Sequence, residues 1–244
     1  MPIRRVAVAA AACVALAGCG AQPVDDRPTV RIAPAVQPAQ AVPLGGFLPT
    51  ADDLSAALGT GPNGFMGPTV EGGEDTLLRS VGEAQVTPAD CAGAPYRLQQ
   101  VVYRDSPVLS VASASWAGGG FDAAPVSAFV GVVQMSSAAA AQDFFATTTE
   151  RWRRCAGQTV ALQQPGLGSG ELSRVTDVVF DDSVVAASVL HVSAGAEAPT
   201  GLRAVGVTGD CVVDVEVVDP RAPARADAAA TVTDLVLKRI AAQR

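Results

Sequence analysis

The chain has 244 residues, a net charge of −7 and 49% apolar side chains, so a normal core can form. The acidic balance repels phosphates and anionic headgroups, which excludes nucleic acid and a charge-bound membrane surface as partners. A single histidine, His191, excludes two-histidine metal motifs and any histidine-rich zinc site.

The first nineteen residues carry an address. Arg4 and Arg5 precede an apolar run, Val6 to Ala15, that is too short for a spanning helix of about 20 residues. Leu16-Ala17-Gly18-Cys19 then resembles a bacterial lipobox, in which the Cys19 thiol is acylated and residues 1–18 are removed; an ordinary secretory signal with an incidental cysteine is the alternative. Removing that segment takes both arginines away and lowers the net charge to −9. The expected location is the extracytoplasmic face of the cell membrane, held by acyl chains at about 0.8 kcal/mol per buried CH₂. Residues 19–46, with five prolines after Cys19 and no apolar period, read as a disordered tether, and the folded domain is expected over 47–244.

Thr50 and Asp53 mark a helix start, Leu54 and Leu58 share a face, and Gly59 stops it. Residues 59–75, with six glycines and two prolines, predict an irregular loop whose Glu71, Glu74 and Asp75 keep the backbone hydrated. Thr87-Pro88 predicts a single helical turn, with Pro first, presenting Cys91. Strands are expected at Arg97–Arg104, Val108–Trp116 and Ala128–Met135, the first two around the turn Asp105-Ser106-Pro107. The three- and four-residue spacing of Ala138, Ala141, Phe145, Thr148, Trp152 and Cys155 predicts an amphipathic helix closed by Gly157. Strands follow at Val175–Phe180, Val184–Val192, Leu202–Thr208 and Cys211–Val218, the last two joined by a Gly209-Asp210 hairpin turn. Val232, Leu235, Val236 and Ile240 mark a terminal helix from about 226 to 242. The fold class is α+β, an antiparallel sheet with helices packed on one face and room for a cleft.

With Cys13 removed and Cys19 acylated, Cys91, Cys155 and Cys211 remain, and their number alone leaves three pairings open. Alternation in the last strand points Cys211 to the core, while Cys91 and Cys155 lie at ends of helical turns. The expectation is a Cys91–Cys155 disulfide with Cys211 a buried free thiol. On the other face of that strand, Asp214 and Glu216 raise acid–base chemistry or a cation site, against the simpler reading of a solvated face. Gly166 to Gly170 holds Ser169 one place out of a nucleophile elbow, Gly118-Gly119-Gly120 precedes no helix, and His191 reads as a structural imidazole. No catalytic, cofactor or metal residue is assigned, and the ligand-binding residues are not readable.

One resemblance gathers these pieces: Leu48-Pro49-Thr50, then Pro88-Ala89-Asp90-Cys91, then Ser136 to Phe145 leading to Arg151-Trp152-Arg153-Arg154-Cys155, and finally Cys211-Val212-Val213-Asp214-Val215. The chain resembles the PknH-like extracellular sensor domain family of actinobacterial lipoproteins. The resemblance implies an α+β domain with a ligand cleft and the same Cys91–Cys155 bridge. The family's usual second disulfide has no counterpart here, since Cys211 lacks a partner. The function expected is a non-catalytic, membrane-anchored sensor or binding module for a small apolar or amphipathic ligand, a lipid included, or for an envelope protein. The alternatives are a docking lipoprotein without a pocket and, less favoured, a hydrolase dependent on His191 or on Asp214 and Glu216.

Overall fold

The computed structural model describes residues 40–82, 85–119, 125–163, 170–193, 196–197, 201–221 and 225–244. Cys19, the tether before residue 40 and Ser169 therefore lie outside the described residues.

The long strands are β4 (Val108–Gly118), β5 (Val126–Met135), β7 (Glu171–Phe180), β8 (Val184–Ser193), β10 (Gly201–Thr208) and β11 (Cys211–Val218). Shorter ones are β1 (Phe65–Met66), β2 (Val70–Gly72), β3 (Val86–Thr87), β6 (Thr159–Leu162) and β9 (Ala196–Glu197). They form one antiparallel sheet in the order β1-β4-β5-β11-β10-β8-β7-β6-β3, with β2 on β4 and β9 on β8. The helices are α1 (Ala51–Leu58), α2 (Gln100–Tyr103), α3 (Ala138–Cys155) and α4 (Ala228–Gln243).

The central strands are apolar on both faces because both are covered. On one face Val130, Val132, Ala204, Val213 and Val215 pack against α1 and α4 through Leu54, Leu58, Val232, Val236 and Ile240. On the other, Val133, Met135, Val205, Val207 and Val212 meet α3 through Ala141, Phe145 and Trp152. Helices thus lie on both faces of the sheet and not on one. The apolar stripe of α3 must be buried, and the α4 side is already occupied.

Local chemistry explains the elements that sequence anticipated. Thr50 and Asp53 form a reciprocal capping box, Thr50 N–H donating to Asp53 Oδ2 at 2.7 Å, and Gly59 takes φ +61° to end α1. Ser137 Oγ accepts from Ala140 N–H to start α3. In the β10–β11 turn Gly209 has φ +55°, the geometry a two-residue hairpin loop demands of its first residue.

Elsewhere long-range contacts prevailed. Arg97–Arg104 is a loop followed by the single-turn helix α2, because its polar groups are drawn onto the sheet face by Asp214. The glycine-rich 59–75 segment contributes β1 and β2, and β6 was not anticipated. Pro88 caps the 3₁₀ turn Ala89–Cys91 from outside instead of opening it. Packed structure also begins ahead of Phe47. Leu44 is fully buried, and Gln134 binds the Gln40 carbonyl and the Val42 N–H. Glu71 accepts from Leu44 and Gly45, so it is a clamp on this entering strap and not a hydrating charge.

Cys91 and Cys155 form a disulfide that joins the 3₁₀ turn to the end of α3. Closing a 64-residue separation stabilises the fold by roughly 4 kcal/mol in the chain-entropy account. Cys211 is a free thiol, fully buried, and burial pushes its pKa up to about 11.

Candidate functional site

The two carboxylates on β11 have separate fates, and neither lies on a simple solvated face. Asp214 is 3% exposed, and its Oδ1 sits 2.8 Å from Nη2 of Arg203, which is fully buried. Oδ2 accepts from Leu98 N–H at 2.9 Å and from the Tyr103 hydroxyl at 3.0 Å. Burial, reinforced by the carboxylate, holds the Tyr103 pKa well above its ordinary value, so this hydroxyl remains a neutral donor. Arg203 donates in turn to the carbonyls of Gly93, Ala94 and Val215. A buried charge needs a partner, and apart from Asp214 Oδ1, which meets Arg203 in the ion pair without a hydrogen bond, this pair spends its groups on fastening segment 93–103 to the sheet.

Glu216 lies in the same strand two residues on, beyond that cover. It forms an ion pair with Arg97, whose guanidinium lies 4.5 Å above the Phe129 ring. Glu216 opposes Phe129 on β5 and Arg203 on β10, and Phe129 opposes Ser115 on β4. Arg97, Ser115, Phe129 and Glu216, together with Glu171 on β7 and His191 on β8, line a cavity of about 420 Å³ on the α3 side of the sheet. The cavity sits at the Val218 end of β11, opposite the Cys211 end where Gln134 holds the entering strap.

His191 Nδ1 is 3.1 Å from Glu171 Oε1 and 2.9 Å from Ser173 Oγ. Ser173 also donates to Glu171 at 3.2 Å and approaches the Tyr96 hydroxyl at 3.5 Å. The hydrogen bond from His191 is the main reason that the Glu171 pKa lies below its ordinary value. Burial raises Tyr96 to about 12. Gly201 makes room for the imidazole, since a Cβ there would stand 3.0 Å from Nε2.

A serine–histidine–acid relay needs the serine on one ring nitrogen and the acid on the other. Here both reach Nδ1, and Ser173 is fully buried, so the cluster is suited to fixing a ring and not to activating a nucleophile. His191 is structurally satisfied on one nitrogen, as its strand setting suggested, yet its ring also faces the cavity. Among the described residues no group of three or more His, Cys, Asp or Glu is placed to hold a metal ion. A second hollow of about 510 Å³ lies between the Ala89–Gly93 turn, residues 101–107 and α3, so segment 89–107 walls both spaces.

Sequence reasoning reached His191 and Glu216 and missed Arg97, Glu171 and Arg203. Only Arg203 left a readable signal. A two-residue turn pairs Thr208 with Cys211, which puts Arg203 opposite Glu216 and diagonal to Asp214 within an apolar strand. Arg97 and Glu171 arrive from distant elements, and nothing local announces them.

Fold and site together define a class: an α+β domain with an antiparallel sheet covered on both faces and a half-buried polar cleft at one end. The sequence matches the family of the PknH-like extracellular domain over residues 39–241. The chain belongs to that family. It is similar to the crystal structure of the extracellular domain of PknH from Mycobacterium tuberculosis, with a TM-score of 0.66 and 21% identity over 80% of this chain and 93% of that one. An X-ray structure of an uncharacterised Mycobacterium smegmatis protein aligns with a TM-score of 0.38 and 16% identity, covering 78% of this chain and 94% of that one. No curated protein matches the sequence. The family is one of extracellular domains, and among the described residues no helix is long and apolar enough to cross a membrane.

Proposed function

We propose that this chain is a non-catalytic binding module of the cell envelope, anchored through an acylated Cys19, that takes a small ligand in the cleft between β4 and β7. The observation that carries this reading is the convergence of Arg97, Glu171, His191 and Glu216 around one cavity with Phe129 in its wall. Ligand sites are concave and place a few polar groups precisely against an apolar lining. The charged groups shift the expected ligand from an apolar one to one with a polar head.

The lone imidazole with serine and acid on the same nitrogen supports binding over hydrolysis. Native mass spectrometry of the full chain, extracted in detergent from its own envelope, tests the reading. A reproducible non-covalent mass, released on denaturation and lost in Glu216→Ala, is expected. Its absence from wild type under all extraction conditions would turn the assignment towards a docking lipoprotein. Cys19→Ser should move the protein from the membrane to the soluble fraction.

A further inference from the structure

The carboxylates that line the cleft define its ligand. Glu171 uses Oε1 on His191 and Ser173, and Glu216 uses Oε2 on Arg97. The Tyr96 hydroxyl also bonds Glu171, and among the described residues the hydrogen-bonding partner of Glu216 is Arg97. A carboxylate only accepts, so the proton in the His191–Glu171 contact sits on Nδ1. The cavity therefore presents carboxylates from two sides, Glu171 beside His191 on one and Glu216 on the other.

Charge points the same way. Arg97, Glu171 and Glu216 sum to one negative charge, on a chain whose net charge is −7. Among the described residues the one guanidinium lining the cleft is already held by Glu216 and stacked on Phe129, so an entering anion would meet two carboxylates with no unengaged cation from those residues opposite. A protonated amine finds the reverse: acceptors on both walls and a favourable field. Charge-assisted hydrogen bonds are about twice as strong as neutral ones, so an ammonium gains more here than a hydroxyl of equal size. Phe129 and Val218 supply apolar surface for the carbon body beside the charged head.

We infer that the cleft recognises its ligand through a primary ammonium group, received by Glu171 and Glu216. This rests on the reading of the cleft as the ligand site, and it narrows the ligand from any small molecule to an amine on a short aliphatic body.

His191, the only histidine, gives one unambiguous imidazole signal by NMR. The test titrates the full chain in detergent at neutral pH with n-butylamine, n-butanol and butyrate in parallel. Butylammonium should shift the His191 ring signals saturably and at least tenfold more tightly than butanol or butyrate. Raising the salt, or introducing Glu171→Gln or Glu216→Gln, should weaken it about tenfold. Should either variant fail to fold, the comparison of the three probes on wild type decides. Equal binding of butanol, or preferred binding of butyrate, overturns the ammonium assignment. If butylammonium does not bind while native spectra still show a ligand mass that depends on Glu216, the ammonium assignment falls and the binding module stands. If neither appears, both fall.

Discussion

Arg203 and Asp214, on neighbouring strands and both buried, form an ion pair at 2.8 Å that ties a covering segment to the sheet. Through this pair the carbonyls of Gly93 and Ala94, the Leu98 N–H and the Tyr103 hydroxyl all reach one point on the sheet face. The same segment delivers Arg97 to the cleft. Cleft geometry therefore depends on two residues that do not line it.

Breaking that pair should be costly on either side. Asp214→Ala leaves Arg203 buried and unpaired, a loss of about 3–5 kcal/mol for a group of this kind. Arg203→Met with Asp214→Leu should cost less than the sum of the two single changes. Urea unfolding of wild type, Asp214→Ala, the two single changes and the double variant measures this, and hydrogen exchange at residues 93–103 should rise in the single variants first.

Reducing the Cys91–Cys155 bridge, or replacing Cys155 by Ser, should lower stability by roughly 4 kcal/mol. Cys211 should not compensate. Its thiol, buried and with a pKa of about 11, should resist maleimide at pH 8 in the folded protein and react once the chain is unfolded in denaturant.

Acid sensitivity should appear at the N-terminus of α1. Asp53 is held at about 2 by hydrogen bonds from Thr50 and Arg239, below its usual 3.8. A depressed carboxylate contributes stability that is present above the unfolded value and is lost as pH falls through the folded one. The contribution should therefore fade between about pH 4 and pH 2. Asp53→Asn should flatten the stability profile across that window, and Thr50→Ala should cost about 1 kcal/mol at neutral pH. Thermal unfolding at stepped pH reads both.

Gly201→Ala tests the cleft without removing a charge. The added Cβ would stand 3.0 Å from His191 Nε2, so the ring must give way. The His191 NMR signals should move and butylammonium affinity should fall, while the disulfide and the α4 side of the core remain intact.

Much of the fold was legible because its signals are local. Period and caps located α3 and α4, alternation and the Gly209-Asp210 turn located β10 and β11, and positions at turn ends pointed to the Cys91–Cys155 bridge. Segment 97–104 misled because its β-branched and aromatic residues are apolar for a tertiary reason. Tyr103 is there to stack on Phe144 and reach Asp214.

Sequence alone thus determined the antiparallel sheet with its helices and, by parity, the cysteine that stays free, since each depends on neighbours a few residues apart. Tertiary structure alone decided that helices cover both faces, that Asp214 is buried while Glu216 is not, and that Arg97, Glu171 and His191 share a cavity. Those outcomes depend on which distant segment lies over a given stretch of sheet. Two carboxylates with identical local patterning acquire opposite environments when one loop, anchored by Arg203, covers the first and stops short of the second.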